Sequence, residues 1–136
     1  MKDNQILSRT ELDLLVVDLG DELTNLCNEI GGGIVFVCVM KGGFMFFSDL
    51  VKQINIPIEI DFIRCKSYFG RKQGDLVVTK DLETKIKGKH VYLVDDILDS
   101  GNTMKAVSKF LAVKEPKTIT PVVAIYKESG DFNKVL

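Results

Sequence analysis

Apolar residues recur at three- and four-residue steps between Leu12 and Ile30, through Leu15, Val16, Leu19, Leu23 and Leu26. That spacing places them on one face of a helix. Ser8, Thr10 and Glu11 supply cap chemistry at its start, and Gly31, Gly32 and Gly33 stop it. Gly20 leaves room for a break or kink near the middle. The period then changes. Ile34 to Val39, IVFVCV, is a continuous apolar run of β-branched and aromatic residues, which is the pattern of a strand buried on both faces of an α/β sheet.

This strand runs into Met40, Lys41, Gly42 and Gly43, and FMFFSDLVKQI after them carries a helical apolar stripe that Pro57 ends. From Ile58 the alternation of a second strand begins, then dissolves after Arg64 and Lys66 into Ser67, Tyr68 and a glycine-bracketed polar stretch reaching Gly74. Leu76 to Val78 is a short β-like piece, and Asp81 to Lys89 a charged connection with Gly88 as a turn. Val91 to Val94 predicts a strand that ends in Asp95 and Asp96, turns through Ile97 and Leu98 to Asp99, and enters a polar loop, Ser100 to Thr103. A helix follows from about Asn102 to Val113, with Met104, Val107 and Leu111 as its apolar face, until Pro116 breaks it. Thr118 to Glu128 is a further apolar strand, in which Pro121 argues for a sheet edge or an irregular start. Strand, helix, strand, strand, helix, strand with right-handed crossovers predicts an α/β fold with a doubly wound, mainly parallel sheet. Repeats and low-complexity segments are absent.

Composition narrows the class. The 136 residues fit one domain, residues 1–136, with an N-terminal helical segment over 1–30 and a core over 34–127. A hydrophobic fraction of 46% with 27% charged residues is that of an ordinary globular protein. Lys+Arg 18 against Asp+Glu 19 leaves a formal net charge of -1, so no basic field points to nucleic acid and any phosphate recognition is local. Cys27, Cys38 and Cys65 lie in apolar or strand-like sequence with no CxxC and no nearby His pair, which predicts free thiols in a reducing compartment. MKDNQILSRTELD is too polar for a signal peptide, and no run approaches the roughly 18 apolar residues of a membrane helix. These features predict an intracellular, cytoplasmic protein.

The chemistry concentrates between Val91 and Met104. Carboxylates at the rim of a crevice can accept hydrogen bonds from vicinal hydroxyls or hold a hydrated Mg²⁺ together with ligand oxygens; they can equally serve the helix N-terminus that follows. Asp99 to Thr103 fits a phosphate cup, with Gly101 allowing close backbone approach and Ser100 and Thr103 offering hydroxyls. Neither GxxxxGK[ST] nor GxGxxG is present. Lys41, Gly42 and Gly43 place a cation and backbone N–H groups where α/β folds bind ligands, although a plain tight turn has the same composition. The stretch from Ser67 to Gly74 reads either as a loop that closes over a site or as a solvated hairpin loop. His90 stands alone and has the character of a structural histidine.

Val91 to Met104 resembles the phosphoribosyl-diphosphate signature of the type I phosphoribosyltransferases: two acids, two apolar residues, a third acid and a small-residue loop. VCVMKGGFMFFSDLV and IDFIRCKSYFG are similar to the corresponding segments of the hypoxanthine-guanine members, and the ordered resemblance runs from Gly32 to Lys127. It implies transfer of 5-phosphoribosyl from phosphoribosyl diphosphate to a 6-oxopurine, hypoxanthine or guanine, with Mg²⁺, in a homo-oligomer (dimer or tetramer) that binds neither nucleic acid nor membrane.

Carried over residue by residue, it implies that Asp95 and Asp96 face the ribose hydroxyls and the metal, directly or through water. Asp99 becomes the general acid/base at the purine. Ser100, Gly101, Asn102 and Thr103 hold the 5′-phosphate. Lys41 and Gly42 form the diphosphate loop, with the Met40–Lys41 peptide cis. Ser67 and Tyr68 belong to the closing loop, and Lys127 reads the exocyclic oxygen of the base. Members of the family continue for several dozen residues after this lysine, so a reduced or missing hood is expected here, with Phe132 the one aromatic on offer. A nucleotide-binding or regulatory protein, or a catalytically incomplete fragment, is the alternative.

Overall fold

A computed structural model describes residues 8–67, 76–98 and 102–126. Its first helix, α1 (Arg9–Ile30), starts with a capping box: Oγ of Ser8 accepts from the Glu11 N–H at 3.1 Å, and the Glu11 carboxylate accepts from the Ser8 N–H at 2.8 Å. It stops at Gly31, whose φ of 91° is open to glycine at little cost. The helix runs unbroken through Gly20. There the missing side chain lets α1 pack against Cβ of Gln53, so Gly20 marks a close approach rather than a kink.

Among the described residues five strands follow: β1 (Ile34–Met40), β2 (Glu59–Ser67), β3 (Leu76–Lys80), β4 (His90–Leu98) and β5 (Thr118–Tyr126). They form one sheet in the order β3-β2-β1-β4-β5, parallel throughout except for the antiparallel β2–β3 pair. Among the described residues β5 is an edge, one of the two possibilities that Pro121 left open. Helix α2 (Phe44–Val51) links β1 to β2, and α3 (Asn102–Ala112) links β4 to β5. The doubly wound, mainly parallel α/β sheet is therefore present.

Two apolar layers hold it together. Phe36, Cys38, Tyr92 and Val94 face α1 and α2 through Leu23, Cys27, Phe47 and Leu50, while Val35, Val37, Val91 and Leu93 face α3 through Met104, Val107 and Leu111. Alternation along β1 and β4 thus supplies both layers, which is why these strands read as unbroken apolar runs. Beside α3, the 81–89 connection takes the place of a helix. Ile86 is buried in it, and the buried Asp61 carboxylate accepts N–H groups from Phe62 and Glu83 at 2.8 Å each and from Thr84 at 2.7 Å.

Several boundaries differ from the sequence reading. The helix after Gly43 ends at Val51, where Gln53 and Ile54 donate to the carbonyls of Leu50 and Val51 and tighten the chain ahead of Pro57. β4 extends to Leu98, and Ile97 and Leu98 lie opposite Ile125 and Tyr126 of β5 rather than in a turn. The equal length of β5 provides a hydrogen-bonding partner as far as Leu98. Asp95 and Asp96 are consequently part of an extended strand.

Candidate active site

The strand order fixes where a ligand can sit. β1 passes through α2 to one side of the sheet and β4 passes through α3 to the other, so the chain reverses direction between β1 and β4 at their carboxyl ends. Open α/β sheets bind ligands in the crevice at such a point. Into it run the Lys41-Gly42-Gly43 turn from β1 and the acidic end of β4. The last residue of β2, Ser67, and the last of β5, Tyr126, reach the same edge because all four strands are parallel.

The turn and the acids are in contact. A β-carbon on Gly42 would stand 3.4 Å from Oδ1 of Asp96, and one on Gly43 would stand 3.2 Å from Oδ1 of Asp95. The Met40–Lys41 peptide is cis, and Lys41 itself is exposed. The Gly43 N–H donates to the Val39 carbonyl at 3.3 Å and its carbonyl accepts from Phe47 at 2.8 Å, fastening the turn to the first turn of α2.

Electrostatics follow from this crowding. Burial raises the Asp95 carboxyl to about 7; the Asp96 N–H donating to its Oδ1 at 2.8 Å pulls the other way, and the Asp96 carboxylate adds to the rise. Cys38, which pairs with Val94 in the sheet register, is pushed up to about 12 by burial and then by the charges of Asp95 and Asp96. Its thiol is inert as a nucleophile at neutral pH. An arrangement that accumulates negative charge in a half-buried crevice is matched to a cationic or hydroxyl-bearing partner.

Of the other expected site residues, Asn102 and Thr103 open α3 and Thr103 is exposed, which leaves its hydroxyl free to face solvent or ligand. Ser67 closes β2 opposite Leu76 of the antiparallel β3. Asp99, Ser100, Gly101, Tyr68 and Lys127 lie outside the described residues. His90 begins β4 at the opposite edge of the sheet, its Nδ1 2.9 Å from Oγ1 of Thr118. The sequence placed Gly43 in the turn but did not disclose its close packing against Asp95; the doubling of glycine after Lys41 was the one signal of it.

Residues 16–135 match the phosphoribosyl transferase domain, and the chain belongs to that family. Within it the chain is 36% identical over 127 residues to the hypoxanthine phosphoribosyltransferase of Haemophilus influenzae, covering 91% of this chain and 71% of that protein. It is 32% identical over 126 residues to the hypoxanthine-guanine-xanthine phosphoribosyltransferase of Tritrichomonas foetus, covering 92% and 68%. The crystal structure of a hypoxanthine-guanine phosphoribosyltransferase from Bacillus anthracis superposes with a TM-score of 0.84 at 30% identity, covering 92% of this chain and 74% of that one.

Proposed function

We propose that this phosphoribosyltransferase acts in purine salvage, moving the 5-phosphoribosyl group from phosphoribosyl diphosphate to hypoxanthine or guanine and releasing diphosphate. The observation that carries the reading is the meeting of the Lys41-Gly42-Gly43 turn with Asp95 and Asp96 at the switch point of the sheet. A ligand with a diphosphate at one end and ribose hydroxyls beside it fits that pairing of cation and acids. The relatives' names, hypoxanthine alone or with guanine and xanthine, support a 6-oxopurine as acceptor.

In this reading Lys41 and the neighbouring backbone N–H groups bind the leaving diphosphate, and Asp95 and Asp96 orient the ribose through its hydroxyls. Positive charge develops on the sugar ring as diphosphate departs, so fixed carboxylates near it lower the barrier and positioning supplies much of the remainder. Asn102 and Thr103, with Ser100 and Gly101 before them, hold the 5′-phosphate at the start of α3. Asp99 exchanges a proton with the purine imidazole, a role typically worth about 10² to 10⁴ in rate. Lys127 reads the exocyclic oxygen, and Ser67 and Tyr68 belong to the loop that shuts out water.

Mg²⁺ fits this donor set. Among the described residues no group of three or more His, Cys, Asp or Glu could form a metal cage, whereas Mg²⁺ in phosphate chemistry is held by one or two carboxylates plus substrate oxygens. Asp95 and Asp96 would hold it, directly or through water, and it would neutralise charge on the diphosphate. Among the described residues no helix is long and apolar enough to cross a membrane.

The test is an assay with phosphoribosyl diphosphate, Mg²⁺ and each of hypoxanthine, guanine, xanthine and adenine. Turnover with hypoxanthine or guanine but not adenine is expected. Nucleotide binding by calorimetry with no turnover would instead identify a binding or regulatory protein.

A further inference from the structure

Gly43 adopts φ -82° and ψ 0°, a conformation open to any residue, so backbone freedom does not explain a glycine there. Space does. A β-carbon at this position would lie 3.1 Å from Cα of Asp95, 3.2 Å from its Oδ1 and 3.2 Å from the Val39 carbonyl oxygen. Two of these three neighbours are backbone atoms of adjacent parallel strands, which cannot rotate aside as a side-chain tip can. Gly42 differs: its β-carbon would meet only the Asp96 carboxylate, at ordinary contact distances of 3.4 to 3.8 Å.

We infer that Gly43 is a positioning residue that sets the separation between the turn carrying Lys41 and the strand end carrying Asp95, and through it the register between the diphosphate and ribose parts of the substrate. The inference rests on the phosphoribosyltransferase reading above. Gly43 touches no substrate atom in it; it acts by letting the turn close against β4. A methyl group here wedges β1's turn away from β4 while leaving the α3 end of the site, where the 5′-phosphate is held, untouched. The two ends of the substrate are therefore affected unequally.

That inequality is the readout. Affinities of wild type and Gly43→Ala for inorganic diphosphate, phosphoribosyl diphosphate and guanosine 5′-monophosphate are measured by calorimetry with Mg²⁺. Displacing reacting groups by a fraction of an ångström to 1 Å can cost up to about 10²-fold, so binding of the two diphosphate ligands is expected to weaken about tenfold or more while the monophosphate stays within about threefold. A residue that only supports the fold would lower all three in parallel, and that outcome overturns the inference, as does no change in any.

Should the alanine variant fail to fold, inserting one glycine between Gly42 and Gly43 adds slack to the turn without a new atom against Asp95. The same split is expected, and parallel loss or no loss overturns the inference. A wild type that binds neither diphosphate ligand removes the phosphoribosyltransferase reading itself, whereas a normal wild type with an unsplit variant removes only the role of Gly43.

Discussion

The backbone N–H of Asp96 donates to Oδ1 of Asp95 at 2.8 Å, so the first acid of the pair is braced by the second while Gly43 packs against its Cα. Asp95 is thereby held in a half-buried position from which its carboxyl is raised to about 7, against an ordinary 3.8.

This displacement has a definite sign. The folded protein binds the Asp95 proton more tightly than the unfolded chain does, so the contribution of this group to stability is fully present below about pH 4 and is lost as pH rises to about 7. In Asp95→Asn that decline is expected to be absent, so the melting temperature of the wild type relative to the variant falls between pH 4 and 8 in thermal-melting profiles. Parallel profiles would show that Asp95 titrates normally.

Asp61 has the opposite sign. Burial alone would raise its carboxyl, yet N–H donors from Thr84, Phe62 and Glu83, with the Thr84 side chain, outweigh burial and hold it below the usual value. Its stabilisation is present above the unfolded value and is lost as pH falls through the folded one. Asp61→Ala strands these N–H groups and is expected to cost about 1–3 kcal/mol in denaturant titrations at pH 7, with a smaller difference in acid.

Gly20 tests the packing of α1. Alanine in a helix interior ordinarily gains about 0.5–1 kcal/mol over glycine. Here the added methyl would collide with Cβ of Gln53, and overpacking costs about 1–3 kcal/mol. The collision is the larger effect, so Gly20→Ala is expected to lower the melting temperature despite its better helix propensity.

Asp99→Asn should reduce turnover by about 10² or more with little change in phosphoribosyl diphosphate affinity, because proton exchange is removed and the phosphate-binding backbone is kept. Full retained rate in the variant would remove Asp99 from the chemistry. Gly101→Val, which obstructs the backbone of the same loop, should instead abolish nucleotide binding, as read by calorimetry.

Much of the fold was legible because its signals are local. The capping box at Ser8 and Glu11, the stop at Gly31 and the doubly buried runs of β1 and β4 each follow from residues within a few positions of one another. Pro121 signalled a sheet edge or an irregular start for the same reason. The continuation of β4 to Leu98 was not legible, since a run holding two aspartates reads as a strand's end unless β5 is known to lie alongside. The unbroken α1 at Gly20 likewise depends on Gln53, distant in sequence.

The sequence alone determined the element order, the two chemical clusters at Lys41 and at Asp95, and the resemblance that joins them, because these reside in residue type and near-neighbour spacing. Only the tertiary structure decided that β1 and β4 are adjacent, and so that the Gly42-Gly43 turn rests on Asp95 and Asp96. Strand adjacency is a matter of non-local hydrogen bonding and of how two helices cover opposite faces, and the half-buried, raised carboxyl of Asp95 exists only once that packing is made.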